Sequence, residues 1–559
     1  MRATLLFLIA LTCATPQGAP SSSPASPSSS SPTTRHPPPT TQFDLLIRNA
    51  EIIDGSGKPR FRADVAIRNG VIAQIGDLAN ATAATTIDAK NQVVAPGFID
   101  LLGHSEGAVL IDPNLESKVR QGVTTEVTGE GHSPGPINDA MAAEINRTKP
   151  PGFPDATWRS LADYMRAIEK RGSAINFAFY IGAANSREIV LGDADRAPTA
   201  DELKKMEAIT DQAMRDGAIG LSTALIYPPG RFATTDELIA LARVAGKYGG
   251  GYWTHLRNEA NTIDAALDEA FRIGREAHVP VNVFHLKVGG TMRGHMQQVV
   301  DKIAGARKNG LDVASQIYPY TATSTDFSSV VPAWALQGGY LQFVARLKDP
   351  ATRTRIAGEI RVGDGSTILI RGIPDPSTVK QYERKRLDAI AREIKTTPAE
   401  AALRLFAGSN SSPIAIFFNL LESDLMTAMK QPWVAVGSDS GAVVGAARQQ
   451  GAHPRAYGTF PRILGHYVRD EHLFTLEEAV RKMTSLAASR AGLNDRGLIA
   501  VGKRADLVVF DPKTIRDTST YEDPHHFAEG ISSVIVNGTP VLRDGKMTGA
   551  LPGKILRRV

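Results

Sequence analysis

The sequence predicts an α/β protein: a (β/α)8 TIM-like barrel carrying a small β-sandwich domain built from both chain ends. Three observations predict it. Eight strand-like apolar runs alternate with helical patterns through the middle of the chain. Alternating apolar and polar segments bracket that middle, each pair closing on an Asn-Gly turn. Residues able to do chemistry stand at the ends of the central runs, where a barrel gathers its active site.

The first stretch of the chain reads as a targeting segment rather than as part of the fold. Arg2 precedes the short apolar run Leu5–Leu11, and small residues follow, as in a secretory signal peptide over residues 1–14; the run is too short to span a membrane. The expectation is an exported protein, periplasmic or secreted. Cys13 is the only cysteine, so no internal disulfide is available. Cleavage before it would instead make it a lipid anchor, although Thr12 fits a lipoprotein signal poorly. Ser, Pro and Thr dominate residues 15–42, a composition that builds no core and reads as a disordered linker. The 559-residue chain is 42% hydrophobic, ordinary for a globular protein. Its net charge of +5 is spread among mixed signs, which argues against a nucleic-acid groove. The partner expected is therefore a small-molecule substrate.

Residues 43–95 and 498–559 each hold a predicted hairpin, around Asn69-Gly70 and Asn537-Gly538, and together form the small β domain. Residues 96–497 form the barrel. Its strands read as GFIDLL, VTTEVTG, INFAFYIG, AIGLST, GYWTHL, VNVFHL, DVASQIYP and WVAVGSD, with an insertion at 326–431 before the last. An insertion there lies over the barrel mouth.

His104 ends the first of these strands, Glu130 the second, His255 the fifth, His285 the sixth and Asp439 the eighth. The two later histidines are 30 residues apart, one βα repeat, so both imidazoles face the mouth from adjacent strands. Two histidines and a carboxylate suit Zn²⁺ with an open position for water, and Asp439 is placed to move the proton. Glu130 is the expected carboxylate ligand, whereas His132 has no strand-end logic of that kind. Gly103-His104-Ser105-Glu106-Gly107 also fits the G-x-S-x-G elbow of serine hydrolases, but so does Gly131-His132-Ser133-Pro134-Gly135. Prolines follow both serines closely, and a serine reading leaves His255, His285 and Asp439 without a shared purpose.

These motifs resemble the amidohydrolase superfamily and, within it, the N-acyl-D-amino-acid deacylases (D-aminoacylases). The likeness spans about residues 43–559 and rests on APGFID, QGVTTEVTG, GAIGLSTALIYPPG, THLRNE, FHLKVGG, IYPYTA, VGSDSGA, HPRAYGTFPRILG, MTSLAASRAGLNDRGLIAVGKRADLVVFDP and VIVNG. The resemblance implies a zinc-dependent hydrolysis of the linear amide of an N-acyl-D-amino acid. It makes His255 and His285 metal ligands and Asp439 the catalytic aspartate. It puts Lys287, Tyr318, Ser324 and Arg455 around the substrate's α-carboxylate, with Arg257 as a further candidate that could equally pair with Glu259. Two departures stand out. The family's His-x-His reads Leu102-Gly103-His104 here, which leaves His104 as the one possible ligand of that motif and implies one zinc rather than two. The family's cysteine ligand is replaced by Gly131, with Glu130 beside it as the replacement ligand and His132 as the alternative. The alternatives on the same fold are a cyclic-amide hydrolase of the dihydroorotase or hydantoinase kind and a metal-free binding protein.

Overall fold

The computed structural model describes residues 42–374 and 377–558. The signal-peptide and Cys13 expectations therefore lie outside the described residues, as does the linker up to residue 41. Among those described, no helix is long and apolar enough to cross a membrane.

Eight parallel strands form the barrel: β1 (Phe98–Gly103), β2 (Val123–Thr128), β3 (Asn176–Phe179, continued by Ile181–Gly182), β4 (Gly220–Ala224), β5 (Gly251–His255), β6 (Val281–Val283), β7 (Val313–Ile317) and β8 (Val434–Val436). The ladder runs β1-β2-β3, then from the continuation of β3 through β4-β5-β6-β7-β8. Closure of β8 on β1 rests on few contacts: a parallel bridge between Gly103 and Ser440, and hydrogen bonds Asp439 N to Leu102 O (2.8 Å) and His104 N to Ser440 O (3.2 Å).

Helices between the strands cover the outside. Their starts follow from local chemistry: Ser160 with Asp163, and Thr199 with Glu202, make reciprocal capping boxes for Leu161–Arg171 and Ala200–Asp216. The barrel interior is filled rather than hollow. Tyr180, Trp253 and Phe284 meet with ring centroids 4.9–5.9 Å apart, and Ile99, Leu101 and Leu102 join the same cluster. Side-chain alternation along β5 puts Trp253 in this plug and His255, two residues on, above it at the rim.

Both chain ends join one nine-stranded sheet. Its strands run in space as 546–547, 539–543, 531–536, 507–510, 93–96, 43–52, 61–68 and 71–76, with 83–88 pairing 43–52. Asn69 and Gly70, and Asn537 and Gly538, have positive φ at every position, the geometry of the two-residue hairpin turns the sequence predicts. Leu507 and Val509 bury against Leu45, Ile47, Val65 and Ile67, whereas Val508 and Phe510 belong to the barrel's core. One strand thus ties the two layers together.

The insertion has its own core. Strands 323–326, 368–372 and 414–417 form an antiparallel sheet, and helices at 340–346, 350–359, 387–393 and 398–407 bury Phe327, Phe343, Ile356, Leu387 and Phe406 against its outer side. It begins at Thr323, just before the expected boundary, and the helix Glu422–Met429 returns to the barrel, contributing Leu425 and Met429 to the main core.

Gly103 shows how tightly the seam is packed: a Cβ there would lie 2.0 Å from Cδ of buried Glu126. Gly103→Ala is expected to destabilise the protein by about 1–3 kcal/mol, the usual cost of overpacking, as measured by urea denaturation. Wild-type stability would mean that Glu126 moves freely.

Candidate metal centre and substrate site

His104, Glu130, His255, His285 and Asp439, five groups from five strand ends, converge at the barrel mouth. Glu130 is the hub. Its Oε1 lies 3.0 Å from Nδ1 of His255 and 3.3 Å from Nε2 of His285, and its Oε2 lies 3.4 Å from Nε2 of His104. The His255 and His285 ring centroids are 4.3 Å apart. Ligands around a tetrahedral zinc with bonds near 2.0–2.1 Å stand about 3.3 Å from one another, so this spacing fits a shared ion. The other candidate group is His104, Glu130 and Asp439, with His104 Nε2 3.2 Å from Asp439 Oδ1.

Charge supports the same reading. Glu130, Glu259 and Asp439 bring three carboxylates, against the two fixed cations Lys287 and Arg455. Burial alone would raise the Glu130 carboxyl, but hydrogen bonds from three imidazoles hold it well below the usual range. Burial would likewise lower His255, yet Glu259 and Glu130 push it up to about 9. A mouth that holds protons on imidazoles this firmly offers the same favourable field to a divalent cation.

The expected ligand Glu130 owes its place to the backbone beside it. Gly131 has φ +66°, and a Cβ on it would lie 2.6 Å from Cβ of Ala224. No cysteine fits there, and the longer side chain of the preceding residue reaches in instead. His132 turns to the surface, where Nε2 meets Glu188 at 3.1 Å. Leu102 is fully buried in the aromatic plug.

Asp439 is presented by a left-handed backbone (φ 50°), unusual for a residue other than glycine and common where function requires it. The turn is clamped on both sides. Buried Lys118 donates to Ser438 Oγ (2.8 Å) and Ser440 O (2.6 Å), and to Asp100 Oδ2 (2.7 Å). Asp100 in turn accepts from Ser438 N and Oγ. Arg455 Nη1 stands 2.9 Å from Asp439 Oδ2. Burial would raise Asp439, but the charges of Arg455 and His285 hold it below the ordinary carboxylate range, so it is ionised at neutral pH.

Around this centre lie the substrate-binding candidates. The Arg455 guanidinium covers the Tyr318 ring at 4.7 Å, and its Nη2 is 3.5 Å from Ser324 O. Tyr318 Oη, Ser324 Oγ and Arg455 Nε are buried without a hydrogen-bond partner, the condition of groups shaped for a polar ligand. Lys287 Nζ sits 2.9 Å from Glu259 Oε1 and 2.7 Å from His285 Nδ1.

Arg257 does not join them, which corrects both expectations for it. Its Nε and Nη2 bond Glu269 at 2.9 Å, and its other donors reach Arg231 O and Ala233 O, so its fork braces a loop rather than receiving a carboxylate or Glu259. The serine elbow is also absent as a device: Ser105 Oγ is buried and donates to Glu126 Oε2 at 2.7 Å, while Ser133 Oγ donates to Gly135 O at 2.7 Å.

Glu259 was not singled out as a site residue, yet it backs both metal-site histidines, with Oε1 3.0 Å from His285 Nδ1 and Oε2 3.3 Å from His255 Nε2. Its position four residues after His255 was the available signal. Carboxylates behind ligating imidazoles fix ring orientation and tautomer.

Comparison with known proteins shows the family. The sequence pattern of the amidohydrolase family matches residues 85–542. The chain belongs to the amidohydrolase family. This amidohydrolase is 38% identical over 522 residues to a D-aminoacylase of Alcaligenes xylosoxydans xylosoxydans, covering 92% of the chain and 98% of the relative. It is 35% identical to an N-acyl-D-glutamate deacylase of the same organism, covering 92% and 97%. The crystal structure of N-acyl-D-glutamate deacylase from Bordetella bronchiseptica, complexed with zinc and a phosphonate mimic of the tetrahedral intermediate, superposes with a TM-score of 0.78 at 34% identity, covering 92% and 99%.

Removing the clamp tests how the amidohydrolase holds its mouth together. Lys118→Met leaves Asp100 and Glu126 buried without their ammonium and is expected to cost about 3–5 kcal/mol of stability, read by urea denaturation. A loss below 1 kcal/mol would mean that the two carboxyls are held by their serine and backbone donors alone.

Proposed function

We propose that this enzyme hydrolyses the linear amide of N-acyl-D-amino acids to a carboxylate and a free D-amino acid. We assign one Zn²⁺ to Glu130, His255 and His285. The observation that carries the reading is Glu130 Oε1 poised between the two imidazoles, with ionised Asp439 facing them across His104. The 35–38% identity to deacylases of N-acyl-D-amino acids supports the substrate class.

Zinc bound there supplies Lewis acidity, lowering the pKa of water and polarising a carbonyl. Glu259 Oε1 and Lys287 Nζ flank Nδ1 of His285 and fix the ring so that Nε2 faces Glu130 Oε1. Asp439 accepts the proton of the attacking water as its oxygen joins the acyl carbon. As the C–N bond breaks, Asp439 returns that proton to the leaving nitrogen. His104 holds Asp439 Oδ1, and Arg455 holds Oδ2, so the carboxylate keeps one orientation through both transfers. Arg455, Tyr318, Ser324 and Lys287 receive the α-carboxylate, for which a guanidinium fork is the apt partner. The cyclic-amide and metal-free alternatives are not favoured: Leu102 removes the His-x-His of the former, and the assembled donor set argues against the latter.

Two variants separate ligation from proton transfer. Asp439→Asn is expected to keep zinc, by elemental analysis, while turnover of N-acetyl-D-amino acids falls by about 10²–10⁴. Activity retained, or zinc lost, would refute the assigned role. His255→Ala combined with His285→Ala is expected to release zinc, and an undiminished zinc content would overturn the ligand set. N-acetyl-L-amino acids assayed beside their D-forms test the handedness.

A further inference from the structure

His453 opens the segment HPRAYGTFPRILG, of which the chemistry described so far uses only Arg455. The imidazole is 1% exposed, and the backbone engages both of its nitrogens. Nδ1 faces the backbone N–H of Arg455 at 3.1 Å, and Nε2 faces the carbonyl of Ala322 at 3.1 Å. A peptide N–H only donates and a carbonyl only accepts, so Nδ1 is the acceptor and Nε2 carries the proton. The two partners specify one neutral tautomer.

These bonds tie together two segments of the substrate pocket. Ala322 leads into strand 323–326 of the insertion, which carries Ser324. Arg455 Nη2 reaches Ser324 O at 3.5 Å, so residues 453 and 455 meet 322 and 324 as two rungs. Arg455 is also the first residue of the helix Arg455–Arg462, whose N-cap, Pro454, has no side-chain donor or acceptor to offer. The first N–H groups of a helix have no partner within it. His453 Nδ1 supplies one for Arg455, and the helix start is thereby held in place.

The ring is itself fixed by what surrounds it. Tyr318, Tyr320 and Tyr521 stand edge-on to it, with centroids 6.3, 5.4 and 5.2 Å away. Tyr318 and Tyr320 follow β7 of the barrel, whereas Tyr521 arrives on the loop between strands 507–510 and 531–536 of the nine-stranded sheet. Tyr320 Oη reaches Pro454 O at 3.5 Å, and the Tyr318 ring is the one that the Arg455 guanidinium covers. Burial and the charge of Arg455 hold the imidazole well below its usual range, in agreement with the neutral tautomer that its partners require. A side chain locked by packing and by bonds to two backbones is what precise placement of a neighbouring group needs.

We propose that His453 is a positioning residue of the α-carboxylate subsite: its Nδ1 fixes the start of the helix Arg455–Arg462, and with it the guanidinium that meets both the substrate's carboxylate and Asp439. It rests on the deacylase reading, which makes Arg455 the carboxylate receptor. His453 acts through Arg455 rather than on the reacting atoms. Of its two bonds, the one to Arg455 N is the one that matters for substrate, and the one to Ala322 O sets the tautomer that makes it possible.

The test uses two variants that each keep one of the ring's bonds. In His453→Asn the amide oxygen takes the place of Nδ1 and still accepts from Arg455 N. In His453→Gln the amide nitrogen takes the place of Nε2 and still donates to Ala322 O. Each zinc-replete protein is assayed on whichever of N-acetyl-D-leucine, N-acetyl-D-glutamate and N-acetyl-D-aspartate wild type cleaves best, and on the α-carboxamide of that compound. Wild type is expected to prefer the free α-carboxylate by about 100-fold or more in kcat/KM. His453→Gln is expected to lose about 10-fold or more of that preference, chiefly through a higher KM, and His453→Asn to keep it within about threefold. Zinc content is expected to stay at the wild-type level in both. The reverse order of the variants would overturn the proposal while upholding the deacylase reading, as would a loss that falls on acid and amide alike. Absence of any preference in wild type, or collapse of both variants, would overturn it too. Should wild type cleave none of the compounds, the deacylase reading fails on its own, and crystal structures of the two variants judge His453. An Arg455 guanidinium displaced from the Tyr318 ring in the Gln protein and retained in the Asn protein would support the positioning role, and one unmoved in both would overturn it.

Discussion

The site depends on how the last strand of the barrel returns to the first. Only a short parallel contact joins them, and a buried ammonium does much of the joining. Lys118 bridges Asp100 on β1 to the residues on either side of Asp439, while Glu126 on β2 stands 3.2 Å away and is itself held by Ser105 N and Oγ. Two carboxyls facing one ammonium in a dry interior add little net stability, since desolvation offsets most of the attraction. What such a cluster specifies is position. It fixes the left-handed turn that aims the Asp439 carboxylate, and it fixes the end of β1 from which His104 emerges.

Above that seam the mouth is an electrostatic trap of the opposite sign. Carboxylates outnumber fixed cations, and each carboxylate touches at least one imidazole. The displaced proton affinities follow: Glu130, Glu259 and Asp439 sit low, and His104 and His255 sit high despite burial. These are two sides of one fact, that this donor set attracts positive charge. A divalent cation bound by these donors would take the place of those protons.

Much of this was legible in the sequence because barrels obey a simple positional rule. All eight strand runs became strands, and the polar residues closing five of them came together at one rim. The rule reaches only residues at strand ends, however. Glu259 and Lys118 act from loop and helix positions, where a carboxylate or a lysine normally signals nothing but solvent. Arg257 misled for the converse reason: it stands beside a ligand in the chain, but its fork faces Glu269 on the following helix. Choosing Glu130 over His132 required the backbone, since one residue's difference in a glycine turn decides which side chain points inward.

The two departures from the family pattern make sense together. Leu102 gives up a ligand and becomes part of the aromatic plug, while Gly131 gives up another because Ala224 of β4 leaves it no room. The remaining bridge is Glu130, whose two oxygens face different partners: Oε1 the His255–His285 pair, Oε2 His104. A thiolate is a single atom and must serve both sides at once. A carboxylate divides the work: Oε2 faces His104, which is turned toward Asp439, while Oε1 and the other two imidazoles would supply the three donors of the ion proposed above. On this view the loss of the second metal's histidine does not cripple the site. In the one-ion reading proposed above, His104 would orient the Asp439 carboxylate through its 3.2 Å contact rather than bind a second ion.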